Sequence, residues 1–137
     1  MGRLRAFIDS NTLVSAIVFD AAELKVIVLL KKKGHELVIS EHVVEEILRV
    51  MIEKFPEHSS LFLEFLKLSG IEIIPKIDYQ DIIDDFDMVR DKHDQHVLAA
   101  AVASRCQIIV TGDKDLLVLK KCRGIRILRT KETIATL

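Results

Sequence analysis

Asp94-Gln95-His96-Val97-Leu98-Ala99-Ala100-Ala101-Val102-Ala103-Ser104-Arg105, followed by Gln107-Ile108-Ile109-Val110 and the turn Thr111-Gly112-Asp113, is the stretch that decides the fold. Its first part is apolar on almost every side and rich in alanine, so it reads as a helix able to lie close to a sheet. Its second part is a short apolar run with β-branched residues, which reads as a buried strand. The same alternation extends in both directions. Toward the C-terminus, Asp115 to Lys121 predicts a short helix, Ile125-Arg126-Ile127-Leu128 a further strand, and Thr130 the cap of a final helical turn. Toward the N-terminus, residues 79–88 predict a short polar helix and Ile71-Glu72-Ile73-Ile74 a strand after Gly70. Pro56 opens a helix carrying Leu61, Phe62, Phe65 and Leu66, and Ser40 caps a helix running through Ile52. Glu36-Leu37-Val38-Ile39 and Ala6-Phe7-Ile8 are the remaining strands, separated by helical spacing over 12–18 and 22–33 that Gly34 ends. Strands alternating with helices predict an α/β sandwich around a mostly parallel sheet.

The chain has 137 residues, which predicts a single domain over 1–137. Half of the residues are hydrophobic and 30% are charged, a mixture that excludes a disordered chain. Lys and Arg number 20 against 21 Asp and Glu, and the net charge of −1 argues against a binder held to nucleic acid by bulk positive charge. Two cysteines, Cys106 and Cys122, make no disulfide framework. The N-terminus does not read as a signal peptide, and no apolar run approaches the roughly 18 residues of a membrane span. A soluble, cytoplasmic protein with reduced thiols is the expectation, with no membrane contact.

In a parallel sheet covered by helices, ligands bind beyond the carboxyl ends of the strands. Asp9 directly follows the first strand, and Asp113 follows the fourth by two residues. Glu46 lies early in the helix after the second strand, and Asp94 in the first turn of the helix that leads into the fourth. Asp115 is a further candidate. Taken singly, each acid has an ordinary explanation as a cap, a turn residue or a solvated helix residue. Together they converge on one rim, where two carboxylates about 5 Å apart repel by roughly 3 kcal/mol at an effective dielectric of about 20. A hard divalent cation, Mg²⁺ or Mn²⁺, removes that repulsion and can polarise a phosphoryl group.

Four segments together resemble the PIN-domain ribonucleases, in the compact VapC-like form found as prokaryotic toxins. They are Phe7-Ile8-Asp9-Ser10-Asn11-Thr12, Ser40 followed by Glu46-Ile47-Leu48, Arg90-Asp91-Lys92-His93-Asp94-Gln95-His96-Val97-Leu98-Ala99, and Ile109-Val110-Thr111-Gly112-Asp113-Lys114-Asp115. The resemblance implies a three-layer α/β/α sandwich with a five-stranded parallel sheet in the order 3-2-1-4-5. It implies a Mg²⁺- or Mn²⁺-dependent endoribonuclease that leaves a 5′-phosphate and a 3′-hydroxyl, as the toxin of a toxin–antitoxin pair. The implied catalytic acids are Asp9, Glu46, Asp94 and Asp113. These four, with Asp115 as a fifth candidate, are also the implied metal ligands, and Asn11 and Thr111 would orient them. RNA as substrate, an antitoxin protein and a homodimer are the implied partners. Glu45 beside Glu46, and Asp91 one turn before Asp94, are the alternatives at those two positions.

A second reading keeps the scaffold as a catalytically weak binding or assembly module in RNA processing. The five histidines, at 35, 42, 58, 93 and 96, lack the H-E-x-x-H spacing of a zinc enzyme, although His42 and Glu46 are four apart and His93 and His96 three apart. His42 and His93 read chiefly as surface residues near the rim. Basic residues crowd the last quarter, from Lys114 to Lys131, either as a solvated surface or as a phosphate-contacting rim.

Overall fold

Each central strand is apolar at consecutive positions, and this dictates a sheet covered on both faces. In the computed structural model, which describes residues 2–19 and 22–137, β1 (Arg5–Ile8) leads into α1 (Ser10–Phe19) and then α2 (Ala22–Lys32). After β2 (Glu36–Ser40) come α3 (Glu41–Lys54), a 3₁₀ turn (Pro56–His58) and α4 (Ser59–Leu68). β3 (Glu72–Ile74) precedes two 3₁₀ segments, Lys76–Asp78 and Gln80–Phe86, and then α5 (Lys92–Ala103). The chain closes with β4 (Ile108–Val110), α6 (Lys114–Leu117), β5 (Lys121–Cys122), β6 (Ile125–Leu128) and α7 (Thr130–Thr136). Ala6, Phe7 and Ile8 are all fully buried. Successive strand residues point to opposite faces, so helices must cover both.

The sheet order is β3-β2-β1-β4-β6-β5, parallel throughout except for the antiparallel β5–β6 pair. The five parallel strands stand in the expected order. The expected sheet of five strands is corrected to six, because Lys121 belongs to an edge strand rather than to a helix. Helix α6 ends at Leu117, Lys120 has a positive φ of 60° just before β5, and Cys122 pairs with Ile125 across a two-residue turn. The turn residues Arg123 and Gly124 both have positive φ, 47° and 83°, the twist that a tight hairpin requires.

Two other local expectations change. Residues 80–86 are 3₁₀ rather than α. Thr130 is the first residue of α7, and the cap position is Arg129, whose N–H donates to Glu132 Oε1 at 3.0 Å. Ser40 caps α3 as expected, its hydroxyl accepting the Val43 N–H at 3.1 Å.

Helix α5 is the packing centre. Val97, Leu98, Ala99, Ala100 and Ala101 are completely buried. At the amino ends of the strands, Arg5 ties the sheet to α5. It donates Nε to Ser104 O at 2.8 Å and Nη1 to Glu36 at 2.7 Å and Glu72 at 2.9 Å. At the carboxyl ends, the chain runs outward from β1 in one direction through β2 and β3, and in the other through β4 and β6. The gap between β1 and β4 is therefore the topological switch point, where α/β sheets place ligands. No described helix is long and apolar enough to cross a membrane.

Candidate active site

At the switch point Asp9 and Asp113 share one partner, Thr111. Ile8 is in register with Val110, and the Asp9 N–H donates to Val110 O at 3.0 Å, so Asp9 and Thr111 leave adjacent strands side by side. Asp9 is buried, with 2% of its surface exposed. Its Oδ1 accepts the Ser10 N–H at 2.7 Å, and its Oδ2 accepts the Thr111 hydroxyl at 2.7 Å. The Thr111 oxygen in turn accepts the Asp113 N–H at 3.0 Å, so one hydroxyl fixes both acids. Asp113 caps α6 by accepting the Asp115 N–H at 2.8 Å.

Asp94 comes from the first turn of α5 and is completely buried. Neither of its carboxylate oxygens has a hydrogen-bond partner among the described residues. Burial, followed by the neighbouring Asp113 carboxylate, pushes its pKa up to about 8. One oxygen each of Asp94, Asp113 and Asp115 falls within 4.8 Å of the others. Asp91, the alternative to Asp94, is the N-cap of α5 and accepts the His93 N–H at 2.8 Å.

Glu46 approaches from α3 on the other side of Asp9. Its Oε1 accepts the Ser10 hydroxyl at 2.7 Å, and its Oε2 lies 2.9 Å from His93 Nδ1. The opposite ring nitrogen, His93 Nε2, is 2.9 Å from Asp9 Oδ1, so His93 bridges the two acids. Glu45, the neighbouring alternative, turns outward to Lys76 Nζ at 2.6 Å. Asn11 is exposed and has no side-chain hydrogen bond to an acid among the described residues, whereas Ser10 touches both Asp9 and Glu46. The orienting contacts thus come from Ser10 and Thr111.

His42 and His93 are half-buried rather than surface residues. Burial alone would lower the His93 pKa, but the bonds to Asp9 and Glu46 outweigh it and push it up to about 10. The same pairing draws Glu46 down to about 2. His42, desolvated beside two other imidazoles, falls to about 4 and stays neutral. Residue spacing had shown His42 four positions before Glu46. It could not show His93 between two acids that come from distant parts of the chain.

The donor set fits a hard divalent cation. A buried carboxylate with two unpartnered oxygens, flanked by two more carboxylates, is costly without a positive charge and supplies the oxygen ligands that Mg²⁺ and Mn²⁺ prefer. Beside these acids lies a polar groove of about 360 Å³, lined in part by Asn11, Ser15, Thr111, Lys114, Arg129 and Lys131.

The chain matches the family model of the PIN domain over residues 5–115, and it belongs to the PIN-domain family. No curated protein sequence gives a match. Among solved structures, VapBC2 from Rickettsia felis, bound to a DNA fragment from its promoter, is similar with a TM-score of 0.69 at 19% identity. That match covers 92% of this chain and 98% of the other. DNA-bound VapBC from Salmonella typhimurium matches with a TM-score of 0.65 at 20% identity, over 93% and 98% of the two chains. VapC20 from Mycobacterium tuberculosis, a sarcin–ricin loop cleaving toxin, matches with a TM-score of 0.65 at 12% identity, over 88% and 98%. At these identities the likeness is one of fold.

Proposed function

We propose that the protein is a divalent-metal-dependent endoribonuclease of the toxin type, hydrolysing RNA phosphodiester bonds at the carboxyl edge of β1 and β4. The observation that carries this reading is the buried, unpartnered Asp94 carboxylate beside Asp113 and Asp115. Asp9, Asp94 and Asp113, with Asp115, would hold Mg²⁺ or Mn²⁺, and Glu46 stands on the far side of Asp9. Bound there, the cation would supply charge stabilisation at the scissile phosphoryl group and activate water as the nucleophile. Thr111 and Ser10 hold the Asp9 and Glu46 carboxylates in fixed directions, so little reorganisation is needed when ligands arrive. Lys114, Arg129 and Lys131, along the adjoining groove, would contact the phosphates of the RNA strand.

Partners belong to the same reading. A solved structure of similar fold from Klebsiella pneumoniae is a toxin–antitoxin complex, which supports an antitoxin as partner. A second copy of the chain as a further partner and the cytoplasm as the site of action complete the reading.

The test is cleavage of a labelled RNA panel by the purified chain with Mg²⁺ or Mn²⁺, compared with Asp94→Asn. Metal-dependent products with 5′-phosphates that vanish in the variant are expected. Metal binding without cleavage of any RNA would favour the binding or assembly module instead.

A further inference from the structure

His42, Glu46 and His93 form a second cluster of donors, beyond Asp9 from the three aspartates. His42 and Glu46 lie one turn apart on the same face of α3, and His93 comes from the start of α5. His93 Nδ1 is 3.0 Å from His42 Nε2 and 2.9 Å from Glu46 Oε2. One donor atom from each of the three residues falls within 4.8 Å of the others. In a tetrahedral zinc site with bonds of about 2 Å, donors sit roughly 3.3 Å apart. His93 Nδ1 thus already stands from the other two donors at about the spacing of adjacent corners of such a site, and the third pair lies within 4.8 Å.

The outer contacts are those that ligand histidines and carboxylates use. Asp9 Oδ1 engages His93 Nε2 at 2.9 Å, which turns Nδ1 toward Glu46 and His42. A carboxylate on the far nitrogen of an imidazole both orients the ring and raises its basicity as a ligand. Ser10 Oγ donates to Glu46 Oε1 at 2.7 Å, leaving Oε2 to face the histidines. His96 stacks on His42 with ring centroids 4.2 Å apart, and Tyr79 meets His96 edge-on at 6.1 Å, so the His42 ring is held from behind. Each donor therefore has its own support.

We propose that His42, Glu46 and His93 bind a borderline divalent transition ion, with Zn²⁺ the best match, at a site distinct from the Asp94–Asp113–Asp115 carboxylates. Two imidazoles and one carboxylate suit Zn²⁺, Co²⁺ or Ni²⁺, whereas Mg²⁺ prefers oxygen ligands. Three protein donors leave a fourth position open to water or to a phosphate oxygen. The ion would take the place of the hydrogen on His93 Nδ1, which leaves to solvent as a proton, while Nε2 keeps its hydrogen toward Asp9. This site does not depend on the ribonuclease reading, since it is defined by binding alone.

The test uses the full chain stripped of metal with a chelator, titrated with ZnCl₂ in a large excess of MgCl₂. Calorimetry and the ring-nitrogen NMR signals of the histidines are the readouts. One equivalent of Zn²⁺ is expected to bind with the excess of Mg²⁺ present, and the ring nitrogens of His42 and His93 should shift. His42→Ala and, as an isosteric second variant, Glu46→Gln should each weaken Zn²⁺ about 100-fold. Asp113→Asn should leave Zn²⁺ binding within about threefold while weakening Mg²⁺. Unshifted His42 and His93 nitrogens at saturating Zn²⁺ would overturn the proposal. So would full Zn²⁺ affinity in both His42→Ala and Glu46→Gln, or loss of Zn²⁺ binding in Asp113→Asn alone. RNA cleavage enters none of these readouts, so a failure here is separable from a failure of the nuclease reading.

Discussion

The Thr111 hydroxyl donates to Asp9 Oδ2 at 2.7 Å, and this bond joins the carboxyl ends of the two central strands. Both residues are buried, with Asp9 2% and Thr111 1% exposed. Thr111→Val keeps the shape but leaves a buried carboxylate oxygen and the Asp113 N–H without their shared partner. A loss of about 1–3 kcal/mol in stability is expected by denaturant unfolding. Activity should fall about 10- to 100-fold rather than disappear, because the metal-facing acids all remain. Thr111→Ser, which restores the hydroxyl, should recover most of the activity.

Asp94 should trade stability for function. Its pKa is raised from the ordinary carboxylate range to about 8 by burial and by Asp113. A group raised in the folded state stabilises the protein below its unfolded pKa, and that stability is lost as pH climbs through the folded value. In metal-free protein, wild-type stability should therefore decline between about pH 4 and pH 8 relative to Asp94→Asn. The variant should melt about 5 °C or more above wild type at pH 8 without metal. Added Mn²⁺ should stabilise wild type and not the variant, and the variant should not cleave RNA. A variant less stable than wild type in chelator at pH 8 would show that Asp94 is not strained there.

How much of this was legible in the sequence depends on how local each signal is. Ala6-Phe7-Ile8, Leu37-Val38-Ile39 and Ile108-Ile109-Val110 announce buried strands because both faces of each strand are covered, so every residue in the run is apolar. The positions of Asp9, Asp94 and Asp113 followed from where such strands and helices end. Strand β5 was invisible because two residues, Lys121 and Cys122, carry no alternation, and its hairpin uses Arg123 at a positive φ where Asn or Asp would have signalled a turn. Ser10 and His93 were missed for a different reason. Their roles depend on partners far along the chain: Ser10 meets Glu46 36 positions away, and His93 meets Asp9 84 positions away. No periodicity encodes such a meeting.

Cys106 supplies a pH test away from the acids. It is 5% exposed, and burial pushes its thiol up to about 11 from an ordinary value of 9.0. Being raised, it contributes stability that is present below pH 9 and lost as pH rises toward 11. The rise from 9.0 to about 11 corresponds to about 3 kcal/mol at most. Wild type should therefore lose more stability between pH 9 and pH 11 than Cys106→Ala does, by on the order of 1–3 kcal/mol in parallel urea titrations. Below pH 9 the thiol should react with iodoacetamide far more slowly than a free cysteine. Equal slopes for the two proteins would remove the thiol from the account of alkaline unfolding.

The polar groove beside Asp113 carries the last expectation, and it concerns how a chain of near-zero net charge can hold RNA. Lys114, Arg129 and Lys131 line that groove together with Glu23, so its bases outnumber its acid, whereas acids dominate the neighbouring rim. Attraction to the phosphate backbone should therefore be local, and become favourable once bound metal offsets the acids. Binding measured with Mn²⁺ and a non-cleavable RNA should weaken with salt, with a slope that reflects only a few phosphate contacts. Arg129→Gln and Lys131→Gln should each lower the slope of log affinity against log salt by roughly 0.7 for single-stranded RNA. Each should weaken binding similarly across RNA sequences, since phosphate contacts position the strand without reading its bases. Substituting Lys31, at the end of α2 and outside this groove, should leave the slope unchanged. A slope that responds to Lys31 but not to Arg129 would place the RNA on the other side of the molecule.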